Sequence, residues 1–312
     1  MHRRRSLAIA LSTVALVAGS VVVGGAPADA AGTTYQLYLT GRAIDGYRQG
    51  TIVRASGARG DTLKVGSKYR YRGSSAAPKG KVTLQRKVGS GTWKTIKKAK
   101  QSSRYFYSAK LPAYTVPASV AVRTVKYRFR SARSVARGVL NTDYSATFTV
   151  KYENPAHYTG FQRTVYDYIA PYCPTVAVHL DRGIAADGAA GEFQWQRGIS
   201  IDDTTVGAYS PAWQQGVALH ECAHYHQFSA FGMSATGWKA MEKHSPSVFV
   251  NDVDPATNAP DFPVAPDWEP LEHAADCASH AVQPAGYLGY GGYCNPTELA
   301  VGLALLTRNA KY

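Results

Sequence analysis

His220-Glu221-Cys222-Ala223-His224 is the stretch on which the reading of this 312-residue chain turns. It matches H-E-x-x-H, a zinc-binding pattern with a mechanical basis. On an α-helix, positions i and i+4 stand one above the other on the same face. His220 and His224 therefore offer two imidazole nitrogens to one metal ion. Glu221, one step round the helix, is placed to take a proton from a water activated there. With nine His and seven Glu in the chain, chance supplies such a pattern roughly 0.006 times. The competing reading is a helix with two surface histidines.

Working outward, Ser210-Pro211 supplies an N-cap and a proline at the first helical position. The helix then runs through Trp213, Val217, His220 and His224 to about Phe231-Gly232. Cys173 to Leu180 and Phe193 to Asp202 read as strands before it. Helices over roughly Trp268–Val282 and Pro296–Arg308 follow, an α+β layout. A catalytic zinc takes a third protein ligand. The metzincin pattern would put Gly three residues and His six residues after the second His, where this chain has Gln227 and Ala230. The alternative is a glutamate from a later helix. Glu272 and Asp276 stand at i and i+4, so Glu272 can ligate while Asp276 accepts a hydrogen bond from a ligating imidazole and fixes its tautomer. Such a spacing is the gluzincin arrangement.

At this point a resemblance enters. His220-Glu221-Cys222-Ala223-His224-Tyr225-His226-Gln227, followed by Glu272-His273-Ala274-Ala275-Asp276-Cys277, resembles the bacterial neutral zinc metallopeptidases, a family carrying HExxHxxQ and then ExxADC. The resemblance covers about residues 195–285. It implies a zincin-like (gluzincin) domain with His220, His224 and Glu272 as zinc ligands, Glu221 as general base and Asp276 behind a ligand. The chain departs from the family at Cys222 and in its N-terminal half.

Other residues compete for roles. His273 neighbours Glu272 but points about 100° away on a helix. His280 lies one turn beyond Asp276 and is a candidate transition-state donor, against a helix-surface histidine. Tyr287, Tyr290 and Tyr293 sit in a Gly-rich loop of a form that can carry an oxyanion donor. His226 reads as structural, and His157, His179 and His244 have no supporting context. Asp252, Asp254 and Asp261 could hold Ca²⁺, although their spacing is not that of an EF-hand.

Charge divides the chain. Residues 32–153 carry 25 Lys+Arg against 4 Asp+Glu, a balance of +21, whereas residues 154–312 carry 7 against 16, a balance of −9. A switch this abrupt near Tyr152-Glu153-Asn154-Pro155 marks a boundary between a basic module, residues 31–153, and an acidic one, residues 154–312. In the basic module short alternating runs such as Lys81-Val82-Thr83-Leu84-Gln85-Arg86, and the turn Gly89-Ser90-Gly91, read as an all-β antiparallel sandwich. The segment from Lys81 to Lys87 resembles the immunoglobulin-like repeats of secreted bacterial proteins. Gly32 to Gly50 carries no assignable pattern. The excess charge is either solubilising or draws the module to a polyanion such as an anionic cell-wall polymer. A third reading has the basic module covering the acidic one's cleft as a pro-domain would. No RNA-binding motif is present, which argues against sequence-specific nucleic acid as a partner.

Residues 1–30 read as a secretory signal peptide: Arg3-Arg4-Arg5, an apolar run from Leu7 to Val23, and Ala28-Asp29-Ala30 as the cleavage site. No later segment has an 18-residue apolar run, so the mature protein is expected to be exported and not transmembrane. Four cysteines in an oxidising compartment imply two disulfides. Of three connectivities the favoured one is Cys173–Cys222 with Cys277–Cys294. The expectation is a secreted, zinc-dependent peptidase acting on protein or peptide. The alternatives are a peptidoglycan-directed amidase or endopeptidase, and an idle wall-binding or adhesion protein retaining the zinc fold.

Overall fold

Alternation with a period of two dominates the first half of the described chain, and ten strands form there. They are β1 (Tyr35–Ile44), β2 (Thr51–Ala55), β3 (Thr62–Tyr71), β4 (Val82–Val88), β5 (Lys94–Lys98), β6 (Lys100–Ser103), β7 (Phe106–Lys110), β8 (Val122–Ser131), β9 (Asp143–Tyr144) and β10 (Phe148–Glu153). The computed structural model describes residues 35–44, 51–58, 61–71, 81–103, 105–134, 137–184, 189–250, 269–284 and 293–312. The expectations for residues 1–30, Asp252, Asp254, Asp261, Tyr287 and Tyr290 lie outside the described residues.

One sheet has the order β1-β3-β7-β6; the other runs β2-β10-β8-β4-β5 with β9 beside β8. All pairs are antiparallel except β2 with β10. The sheets pack face to face. Leu37, Leu39, Leu63, Val65 and Tyr107 from the first meet Val82, Leu84, Val125, Tyr127, Phe129, Phe148 and Val150 from the second in one core. The hairpin expected at Gly89-Ser90-Gly91 joins β4 to β5, with Gly89 at φ +52° supplying the left-handed turn. β1 lies in the stretch for which the sequence has no reading. A bulge between Thr40 and Arg42, with Gly41 at φ +60°, shifts the alternation halfway along it and hides the period.

The second half is α1 (Gly160–Ile169), β11 (Val178–Leu180), β12 (Gly191–Gln194), β13 (Gly198–Ile201), α2 (Pro211–Ala230), α3 (Ala235–His244), α4 (Pro270–Val282) and α5 (Pro296–Arg308). The chain is thus mixed α and β, with several antiparallel sheets and five helices among the described residues. Two strand expectations need correction. Cys173 to Leu180 shortens to β11, because Cys173 still belongs to the turn that closes α1, its N–H donating to Ile169 O at 2.7 Å. Phe193 to Asp202 is a hairpin rather than one strand: Arg197 N–H donates back to Gln194 O, and Gly198 takes φ +107°. α1 and α3 have no counterpart in the sequence reading. α1 is rich in aromatic and β-branched residues, and burial of Val165 and Ile169 on one face overrides that propensity.

The boundary between the two halves is a seam, within one compact unit spanning Thr33–Tyr312. Strand β2 donates from Val53 N to Gln196 O (2.8 Å) and from Ala55 N to Thr175 O (3.1 Å). Arg54 donates to Trp195 O at 2.8 Å, lies over the Trp195 ring and pairs with Asp61. The turn of the β12–β13 hairpin is thereby fastened to an edge of the basic module. Both favoured disulfides form, Cys173–Cys222 with Cα atoms 6.1 Å apart and Cys277–Cys294 with Cα atoms 5.5 Å apart. No helix among the described residues is long and apolar enough to cross a membrane.

Candidate metal centre

Helix α2 begins as its sequence dictates: Ser210 Oγ accepts from Trp213 N and Pro211 opens the first turn. From Gly216 to His224 every residue is buried, because the helix is enclosed on all sides rather than amphipathic. Small residues let α4 approach it closely. Ala275 and Ala278 share a core with Ala218 and Ala223, and Ser279 Oγ donates to Gly216 O at 2.9 Å. Behind α4, Gly302 of α5 comes so near Ala278 that a Cβ there would stand 2.7 Å from its Cα.

This packing brings Glu272 to the two histidines. His220 Nε2 and His224 Nε2 are 3.0 Å apart, and each is 3.1 Å from Glu272 Oε2. Tetrahedral zinc with bonds of about 2.0–2.1 Å would hold such atoms about 3.3 Å apart. The far side of each imidazole is also occupied. His220 Nδ1 donates to Asp276 Oδ1 at 2.7 Å, and His224 Nδ1 donates to Gln227 Oε1 at 2.7 Å. Gln227 Nε2 in turn donates to Leu271 O at 2.9 Å, which fixes the end of the amide that faces His224. With both Nδ1 protons committed outward, two Nε2 lone pairs and one carboxylate oxygen converge on a point. Once both Nε2 atoms are deprotonated, three electron-rich atoms so close repel one another unless a cation lies between them, so the donor set fits zinc.

Burial and charge oppose each other here. Burial pulls both imidazoles toward the neutral form. Asp276 and Glu272 outweigh it and hold His220 well above its usual pKa, and Glu272 does the same for His224. Burial pushes Glu221 above the ordinary carboxylate range, with the two histidines opposing. Burial would raise Glu272 likewise, but the two histidines hold it far below that range.

A cleft of about 180 Å³ opens over these atoms, lined by Gly191, Glu192, Phe193, His220, Glu221, His224, Trp238 and Glu272. Gly191 is needed for its lack of a side chain: a Cβ there would meet Glu221 Cγ and Oε1 at 2.8 Å. Strand β12, which carries Gly191 and Glu192, is an edge strand of its sheet, order β11-β13-β12. A larger cavity of about 390 Å³ lies at the seam and shares Phe193 with the cleft.

The structure thus gathers His220, Glu221, His224, Glu272 and Asp276. His280 and Tyr293 are half-buried and do not line the cleft. His273 is buried with Nε2 3.5 Å from Glu298 Oε2, away from the cluster. His226 bonds to Asn309 and to Tyr172 O, a structural role. Two further groupings of possible ligands, around Cys173–Cys222 and Cys277–Cys294, involve sulfurs already joined in disulfides. Gln227 had a signal, its place three residues after His224 on one helical face. Gly191, Glu192 and Trp238 had none, since only the fold brings them to the cleft. Compared with protein-family models and with curated proteins, the chain gives no match.

Proposed function

We propose that the chain is an exported zinc-dependent peptidase, with a zincin-like (gluzincin) second half and an immunoglobulin-like first half. The observation that carries this reading is the convergence of His220 Nε2, His224 Nε2 and Glu272 Oε2, 3.0–3.1 Å apart, with Glu221 lining the same cleft. When bound there, zinc supplies Lewis acidity that brings the pKa of a water to about 7 and polarises a carbonyl. His220, His224 and Glu272 would hold the ion, and Asp276 and Gln227 would keep both imidazoles in the ligating tautomer. The Glu221 carboxylate accepts the proton of the attacking water as its oxygen bonds to the carbonyl carbon. It passes that proton to the leaving nitrogen as the C–N bond breaks. The raised pKa of Glu221 suits a group that must both take and return a proton. Among the described residues β12, beside Glu221, is an edge strand, which supports an extended peptide as substrate because a strand edge offers main-chain hydrogen bonds to another chain.

No described residue of the basic module lines the metal cleft, so nothing supports a pro-domain that plugs it. The test is zinc content beside turnover of casein and of purified cell wall, for wild type and His220→Ala. One zinc per chain, lost in the variant together with chelator-sensitive cleavage, is expected. Cleavage of wall but not casein assigns the peptidoglycan-directed alternative. Zinc without any turnover overturns the peptidase reading in favour of an idle zinc fold.

A further inference from the structure

The outer face of the six-stranded sheet carries cations that the metal chemistry does not use. On β8, Val125, Tyr127 and Phe129 enter the core, so Lys126, Arg128 and Arg130 point outward. The register sets Lys87 of β4 opposite Lys126, and Lys98 of β5 in one row with Thr83 and Arg130. Lys151 of β10 follows on the same face, opposite Thr124. Neighbouring strands lie about 4.8 Å apart, and same-face residues along a strand about 6.8 Å apart. Among the described residues, none of these six cations is in an ion pair. The described carboxylates of the module are engaged elsewhere. Asp61 pairs with Arg54, Asp143 accepts from Leu39 N, and Glu153 accepts from Tyr158 OH. At the centre Arg128 is clamped, its guanidinium 4.2 Å from the Trp93 ring centroid and 4.1 Å from that of Tyr144, with Nε donating to Gln85.

We propose that this face binds a linear polyanion, a phosphodiester-linked polyol chain, through successive backbone phosphates. Two rows of cations outside any ion pair give a flexible anionic chain several points of contact at once, and a held guanidinium fork suits phosphate oxygens. The aromatic content disfavours the two other common phosphate sources. Trp93 and Tyr144 both stack on Arg128, so each has committed a ring face that a nucleic-acid base would need. A bilayer surface needs inserting apolar side chains, and among its described residues this face exposes only Val122 and the Arg128-bound Tyr144. None of these six cations lines the cleft, so occupation of the face does not depend on metal.

The test titrates labelled poly(glycerol phosphate) with the full mature chain and two triple variants of equal net charge. Lys87→Glu/Lys126→Glu/Arg130→Glu alters the proposed face. Lys64→Glu/Lys68→Glu/Lys100→Glu alters exposed cations of the other sheet. The first should weaken binding at least about 30-fold and flatten its salt dependence, the second by no more than about two-fold. Arg128→Lys, which keeps the charge and the fold, should weaken it about five-fold. His220→Ala should bind as wild type. Equal losses in both triple variants would reduce the effect to net charge and overturn the proposal. So would equal or tighter binding of wild type to single-stranded DNA, to a polycarboxylate of matched charge, or to phosphatidylglycerol vesicles.

Discussion

Asp276 Oδ1 lies 2.7 Å from Nδ1 of His220, on a helix that also carries Glu272 one turn earlier. One helix thus delivers both a proposed ligand and the group that orients another. Asp276→Ala should lower zinc affinity about 10- to 100-fold, measured by competition with a chromogenic chelator. Gln227→Ala, which removes a neutral acceptor from His224, should cost less. Unchanged affinity in Asp276→Ala would mean that packing alone sets the His220 ring.

Zinc affinity should fall as pH falls. Metal binding needs the Nε2 lone pairs, and the carboxylates hold His220 and His224 above the usual imidazole range. Protons therefore compete at a higher pH than they would at an ordinary histidine. Asp276→Asn should move this competition to lower pH, because His220 loses the charge that stabilises its protonated form, even though plateau affinity drops. Isothermal titration with zinc between about pH 5.5 and 8.5 reads both effects.

Gly191→Ala tests the contact between β12 and Glu221, the proposed general base. A methyl group there would collide with Glu221, which is 5 % exposed and has little room to retreat. Turnover should fall by one to two orders of magnitude with zinc retained, since a displacement of about 1 Å near the chemistry can cost 10²-fold. Loss of zinc instead would show that the strain spreads into α2.

The Cys173–Cys222 bond closes a sequence separation of 49 residues and tethers α2 just behind its histidines. By loop-closure entropy it stabilises the fold by about 4 kcal/mol, and Cys277–Cys294 by about 3 kcal/mol. Replacing Cys173 and Cys222 by serine should lower Tm by roughly 10 °C in calorimetry. Equal Tm values would mean that residual structure in the unfolded chain already holds these two segments together.

The helical part of the site was legible because i, i+4 spacing is a local property. His220 with His224, and Glu272 with Asp276, each share a helical face whatever the tertiary fold, and Ser210-Pro211 marks a helix start by a local hydrogen bond. The β alternation of Val82 and Leu84 was legible for the same reason. The strand side of the cleft was not. Gly191 and Glu192 reach Glu221 only through the pairing of β12 with β13, and that hairpin is fixed partly from outside, by Arg54 and Val53 gripping its turn. Nor was the seam, because a change of net charge marks composition, whereas backbone bonds from β2 to residues 175 and 196 leave no pattern in either segment.

The most direct test is turnover by Glu221→Gln protein whose zinc content has been measured in the same preparation. Glutamine preserves the shape of the side chain and removes its ability to take a proton. One zinc per chain with peptide cleavage reduced at least about 10³-fold is the predicted result. A zinc-loaded Glu221→Gln protein that cleaves at the wild-type rate would contradict the assignment of this cleft as a peptidase site.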